Sequence, residues 1–119
     1  DQLREVLGQV SLWLWGHEHN FVVHDAWPTG GGRVPLRRGR CLGASAVPVL
    51  KDADVYRVDG KLKDAPTFRA DLKLGRGDDC WHHCFAVLEL DGERGEIGYF
   101  QVPHAGGPAE EIFRERIDD

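Results

Sequence analysis

The chain reads as a mostly β protein with one short helix at its start. Three observations carry that reading: short apolar runs rich in strand-forming residues, Gly- and Pro-containing turns between them, and a helical period confined to the first ten residues. Leu3, Val6, Leu7 and Val10 recur at helical spacing and Gly8 interrupts them, which predicts the end of an amphipathic helix from Gln2 to about Leu7, with Gly8 near its C-cap. Ser11 to Trp15 predicts a strand buried on both faces, because Leu12, Trp13, Leu14 and Trp15 leave no polar face. Phe21 to Trp27 is a second strand, on the propensity of Phe21, Val22 and Val23. Pro28-Thr29-Gly30-Gly31-Gly32 predicts a flexible loop, and Arg40 to Ala46 with Pro48 to Leu50 a short extended pair.

Between Lys51 and Asp79 lies a long polar segment with Gly60, Pro66, Gly75 and Gly77, which predicts the most mobile internal region, with a short strand at Val55-Tyr56-Arg57-Val58. Trp81 to Leu90 and Ile97 to Val102 form a hairpin around Asp91-Gly92-Glu93-Arg94-Gly95. Pro103 to Pro108 is a further turn, and Glu111 to Ile117 a final edge strand. From period and position, Leu12, Leu14, Trp15, Val22, Cys41, Leu42, Ala86 and Leu88 are expected to share one core.

Residues 1–119 fit one domain with a modest core. The balance is mildly acidic, and the basic residues are scattered apart from Arg33, Arg37, Arg38 and Arg40, which excludes a general nucleic-acid surface. No apolar run approaches the ~18 residues of a membrane span. Cys41, Cys80 and Cys84 leave one cysteine unpaired under any disulfide scheme, which predicts a cytoplasmic setting.

The sharpest feature is the break from the apolar run into Gly16-His17-Glu18-His19. Gly16 is expected to end the strand and let the backbone turn tightly. Imidazole is the commonest side-chain metal ligand, and in an extended segment His17 and His19 point to the same side, which suits two neighbouring ions or one shared ion. Glu18 takes a supporting role, and His24 is expected on a strand surface. Cys80-Trp81-His82-His83-Cys84 is dense enough in ligands to raise a structural zinc site, although Cys80 and Cys84 would lie ~13 Å apart on an extended strand. Buried cysteines packed beside aromatic rings are the simpler reading. Arg37 and Arg40, clustered with Arg38, present planar forks suited to phosphate and follow the histidine pair, so they are candidate substrate contacts, although a solvated basic loop is the simpler reading.

Leu12-Trp13-Leu14-Trp15-Gly16-His17-Glu18-His19 resembles the last metal-binding motif of the calcineurin-like metallophosphoesterases, Gly-His-x-His at the end of a core strand. Arg40-Cys41-Leu42-Gly43-Ala44-Ser45-Ala46-Val47-Pro48-Val49 resembles the strand and turn that follow it, and Phe85 to Leu90 with Asp91-Gly92 the family's closing hairpin. The resemblance implies an α/β fold: the chain would be the C-terminal half of a four-layer α/β/β/α sandwich. It also implies a parent hydrolase cleaving a phosphomonoester or phosphodiester with two divalent ions (Mn, Fe, Zn or Ni) ~3.5–4 Å apart, where His17 binds one ion and His19 the other. The family's earlier motifs, Asp-x-His, Gly-Asp-x-x-Asp and Gly-Asn-His-Asp/Glu, are absent, and Gly77-Asp78-Asp79 comes too late to replace one. With no methionine in the chain, the expectation is a fragment that holds at most one weakly bound ion, lacks turnover, and associates with itself or with the missing N-terminal half. The competing expectation is a non-catalytic β-sandwich binding module whose histidine pair is incidental or binds zinc.

Overall fold

The last third of the chain is rich in strand-forming apolar and aromatic residues, and the longest strands form there. A computed structural model describes residues 6–29, 34–56 and 67–118. Its strands are β1 (Trp13–Trp15), β2 (Phe21–Val23), β3 (Trp27–Thr29), β4 (Val34–Leu36), β5 (Gly39–Leu42), β6 (His83–Asp91), β7 (Arg94–Val102) and β8 (Glu110–Arg116). Strands β6, β7 and β8 make an antiparallel meander in that order. Asp91 pairs with Arg94 across a two-residue turn in which Gly92 takes a φ of 60°, as a tight hairpin requires of its first central residue. Ile97 and Tyr99 alternate onto one face and are fully buried.

The second sheet runs β1-β5-β2, with β1 parallel and β2 antiparallel to the central β5. Phe21 and Val23 project from one face onto the meander, and Phe21 meets Tyr99 with ring centroids 5.5 Å apart. Ala44, Leu74, Trp81 and Cys84 complete this core between the sheets. The polar clasp beside it is Arg40, which donates to both oxygens of Glu115 at 2.7 Å each, while the Tyr99 hydroxyl donates to Glu115 at 2.7 Å. Burial alone would raise the Glu115 carboxyl pKa. The bonds from Arg40 and Tyr99 overcome that and hold it below the ordinary glutamate value.

The α/β sandwich half is not the architecture this chain adopts. Among the described residues there are two three-stranded sheets and a two-stranded hairpin, with no helical element; only Val6 and Leu7 are helical, ahead of a turn at Gly8-Gln9. The rest of the predicted Gln2–Leu7 helix lies outside the described residues. A parallel pair needs a long crossover, commonly a helix. Here the connection from β1 to β5 is built from β2 and the β3–β4 hairpin, because residues 16–38 carry glycines, prolines and valines rather than a helical period.

The predicted core also needs correction. Val22 and Cys41 are buried, but they pair with each other on the face of the sheet opposite Phe21 and Val23. Leu12, Trp15, Leu42 and Ala86 are partly buried, whereas Leu14 (43% exposed) and Leu88 (47%) are not core residues. Trp13 is 42% exposed as well, so β1 is not buried on both faces. The reason is position: β1 and β6 each pair with a single neighbour and stand at sheet edges. The expected Phe21–Trp27 strand breaks at His24, which bridges to Phe68, and Trp27 instead opens β3. Pro28 and Thr29, assigned to a loop, lie in β3, which tolerates proline because a two-stranded ladder leaves half of its N–H groups unused. Gly30 to Arg33 lie outside the described residues.

Arg40–Ala46 shortens to β5, and Pro48–Leu50 forms only the isolated Leu50–Cys80 bridge. Val55 and Tyr56 lie in a turn, and 57–66 fall outside the described residues, so the expected mobile region is described only at its ends. Those ends are pinned. The Lys51 amide donates to the Asp79 carbonyl at 2.9 Å, the Leu74 amide to the Tyr56 hydroxyl at 3.0 Å, and the Gly75 amide to Gln101 at 2.7 Å.

Candidate functional site

Strand β1 ends at Trp15 and the chain turns out of the sheet through residues 16–20. The conformational freedom assigned to Gly16 is not what makes this turn, since Gly16 stays outside the left-handed region. The left-handed residues are the histidines themselves: His17 has a φ of 89° and His19 a φ of 53°. Among the described residues they are the two non-glycine positions with positive φ. Such backbone costs about 1–3 kcal/mol per residue and persists where the surroundings over-determine it. The segment is therefore not extended, as the spacing argument supposed, yet both rings are exposed and stand edge to face with centroids 6.5 Å apart.

What over-determines the loop is β5. Because β1 and β5 run parallel, the loops that leave them emerge side by side. Gly43, just past β5, lies flat against the histidine loop. A Cβ built there would stand 2.7 Å from the His19 amide nitrogen, 3.1 Å from that of Glu18 and 3.2 Å from that of His17. The Gly43 amide in turn donates to the Asn20 carbonyl at 2.9 Å, and the Asn20 side chain donates to the Val55 carbonyl at 2.7 Å. Beneath the loop, the buried Cys41 thiol donates to a Glu18 carboxylate oxygen at 3.2 Å. Burial first, and then this bond, push the Cys41 pKa up to about 12, so the thiol is a neutral prop rather than a nucleophile. Gly43, Asn20 and Cys41 support this loop, a role that reading along the chain missed. The one signal for them was Gly43 itself, a glycine directly after a short strand.

His17 and His19 are thus brought together with open imidazoles. Among the described residues no group of three or more His, Cys, Asp or Glu side chains is placed to hold a metal ion. Glu18, turned toward Cys41, does not join the pair. Arg40 is buried beneath the sheet, with its guanidinium committed to Glu115 and to the carbonyls of His24 and Gly39 at 2.8 Å each. Arg37 is exposed. The dense Cys80–Cys84 run is divided by burial: both cysteines are free thiols in the interior, His82 packs against Gly75, and His83 turns elsewhere. Among the described residues no helix is long and apolar enough to cross a membrane. No family model, no curated protein and no solved structure matches this chain.

Proposed function

We propose that this chain supplies two histidine ligands, His17 and His19, to the dinuclear metal centre of a phosphoesterase acting on a phosphomonoester or phosphodiester. The observation that supports the reading best is the strained backbone: two histidines, one residue apart, are both held left-handed at an open strand end, against a glycine that leaves them no slack. Backbone strain of this kind clusters at binding and catalytic sites. Two adjacent divalent ions neutralise phosphate charge and activate water. The work of this chain's residues is positional. The β1–β5 pair sets the direction of the loop, Gly43 fixes its depth, and Cys41 keeps Glu18 from swinging into the site. Exposed Arg37 stays a candidate phosphate contact, and Arg40 acts as a structural clasp.

The remaining ligands would come from polypeptide outside the described residues, seated along the open edge of β1 where Trp13 and Leu14 are exposed. The isolated chain would hold at most one weakly bound ion and would associate through the same surface. Three free, buried cysteines support a reducing, cytoplasmic setting. The test assays the full-length protein on a chromogenic phosphodiester with manganese. Turnover should appear and fall to background in His17→Ala and in His19→Ala. Turnover indifferent to both substitutions would overturn the proposal.

A binding-module reading has one observation of its own. The β6 edge exposes Phe85, Val87, Leu88 and Leu90, between 40% and 69% each, and such an edge is where a partner strand adds. It predicts tight partner binding that Val87→Lys abolishes and His17→Ala leaves intact.

A further inference from the structure

The two edges of the meander are finished differently. Strand β8 carries Glu110, Glu111, Arg114, Glu115 and Arg116 and pairs with β7 through a bulge at Tyr99 and Phe100, features that keep an edge from recruiting another strand. Strand β6 runs nine residues with no lysine, no proline and an unbroken register against β7. It exposes Phe85, Val87, Leu88 and Leu90.

Which backbone groups of β6 face outward follows from its hairpin. A two-residue turn closes on a hydrogen-bonded pair, Asp91 with Arg94, so Glu89, Val87 and Phe85 also turn their N–H and C=O groups to β7. Cys84, Ala86, Leu88 and Leu90 turn theirs away. Cys84 is met from within the chain: its amide donates to the Ala44 carbonyl at 3.1 Å, and the Ser45 hydroxyl donates to its carbonyl at 2.6 Å. Among the described residues no group bonds to the outward side of Ala86, Leu88 or Leu90. The open edge is bounded by Ala44 and Ser45 at one end and by the Gly92 turn at the other, where an added Cβ would meet nothing within 4 Å.

An edge of this form is its own complement. Turned about a two-fold axis at Leu88, a second β6 runs antiparallel to the first, with Leu88 opposite Leu88 and Ala86 opposite Leu90. Ala86, Leu88 and Leu90 of each copy then donate one bond and accept one, and no outward group is left over. A register centred on Val87 sets Leu90 against Cys84, whose groups are taken. One centred on Glu89 sets Ala86 against the turn. In the Leu88 register Val87 faces Glu89 and Phe85 faces Asp91, so like charges never stand opposite each other, and Glu89 keeps its ion pair with Arg114 of its own copy at 3.1 Å. Taking about 200 Å² for a large apolar side chain, the exposures of Phe85, Val87, Leu88 and Leu90 leave about 400 Å² open on each copy. Two such edges with their paired backbone reach the ~1,000 Å² of a specific but reversible interface.

We propose that two copies of this chain pair antiparallel through β6, centred on Leu88, and join their meanders into one continuous sheet. The proposal gives the β6 edge of the binding-module reading its occupant. It does not rest on the phosphoesterase reading, because the histidine loop leaves the other sheet.

The test is sedimentation of the full-length protein from low to high micromolar concentration, where the mass should rise from that of a monomer to twice that value. Leu88→Lys and Leu88→Glu each place like charges opposite each other, so each variant alone should stay monomeric. An equimolar mixture of the two should dimerise again, a rescue that misfolded variants could not give. In a mixed-isotope sample of the unsubstituted protein, the Val87 Hα of one copy should contact the Glu89 Hα of the other. A monomer at every concentration would overturn the proposal, and so would a dimer that both substitutions leave intact or inter-copy contacts elsewhere. A monomer whose Ala86, Leu88 and Leu90 amides are nevertheless protected from exchange would also overturn it, by showing another segment in the second copy's place.

Discussion

Replacing Gly43 with alanine probes the link between fold and candidate site. The added Cβ would meet three atoms at 2.7, 3.1 and 3.2 Å, all of them backbone nitrogens of His17–His19. A flexible side chain could swing away, but three successive amides of one loop move only together. Overpacking of this kind costs about 1–3 kcal/mol, and the absence of a soft neighbour puts Gly43→Ala near the upper end, about 3 kcal/mol. At ~4 °C per kcal/mol for a domain of this size, the melting temperature should fall by about 12 °C. If the loop yields instead, less stability is lost, and the imidazole and amide resonances of His17 and His19 shift. Gly16→Ala is the control: its Cβ meets nothing closer than 3.8 Å and its backbone is not left-handed, so it should be neutral or stabilising by up to about 1 kcal/mol. Thermal unfolding and two-dimensional NMR of both variants decide the matter. A Gly43→Ala protein that melts within about 1 °C of the parent with unmoved histidine resonances would refute the reasoning.

If His17 and His19 are strained for a purpose, His17→Gly and His19→Gly should each stabilise the chain by about 1 kcal/mol in urea unfolding, relief of strain outweighing the extra chain entropy of glycine. A loss of stability at both would contradict the strain argument. Glu115→Gln should destabilise by about 3 kcal/mol, because it leaves the Arg40 guanidinium buried and unpaired, as equilibrium unfolding at neutral pH would register. Since the Glu115 carboxyl is held below its ordinary value of about 4.3, its contribution is complete above that pH and is lost as pH falls through the lower folded value; Glu115→Gln should therefore flatten the acid limb of a stability–pH curve. Cys41, raised to about 12, should resist alkylation at pH ~8 until the chain is unfolded. The stability conferred by its neutral thiol is complete below about 8.5 and is lost as pH rises toward 12.

What could be read along the chain was what depends on neighbours in sequence. The β6–β7 hairpin carries strand-forming runs and its own Asp-Gly turn, and the β8 edge strand has Ile112 and Phe113 at its centre, so both were legible. The β1–β5 pairing was not, because it joins residues about 25 apart and no local pattern announces a parallel partner. Strand β1 misled for a related reason: an apolar run states that Trp13 and Leu14 avoid water, not that this chain supplies their cover. The core likewise drew on Leu74 and Trp81 from irregular segments, where hydrophobic period has nothing to act on. At the candidate site the histidines were visible as residue types, while their left-handed backbone and the glycine that enforces it come from a contact across the sheet. Arg40 shows the converse case. A phosphate-binding residue type can serve as a clasp, and only the nearby carboxylate of Glu115 tells the two apart.

The account stands on His17 and His19 acting as ligands to two neighbouring ions. Its most direct test loads manganese into the full-length protein and records nitrogen hyperfine couplings with selectively labelled histidines. The account predicts a spin-coupled manganese pair with imidazole nitrogen couplings that disappear one at a time in His17→Ala and His19→Ala. An isolated manganese ion, or couplings that survive both substitutions, would contradict it.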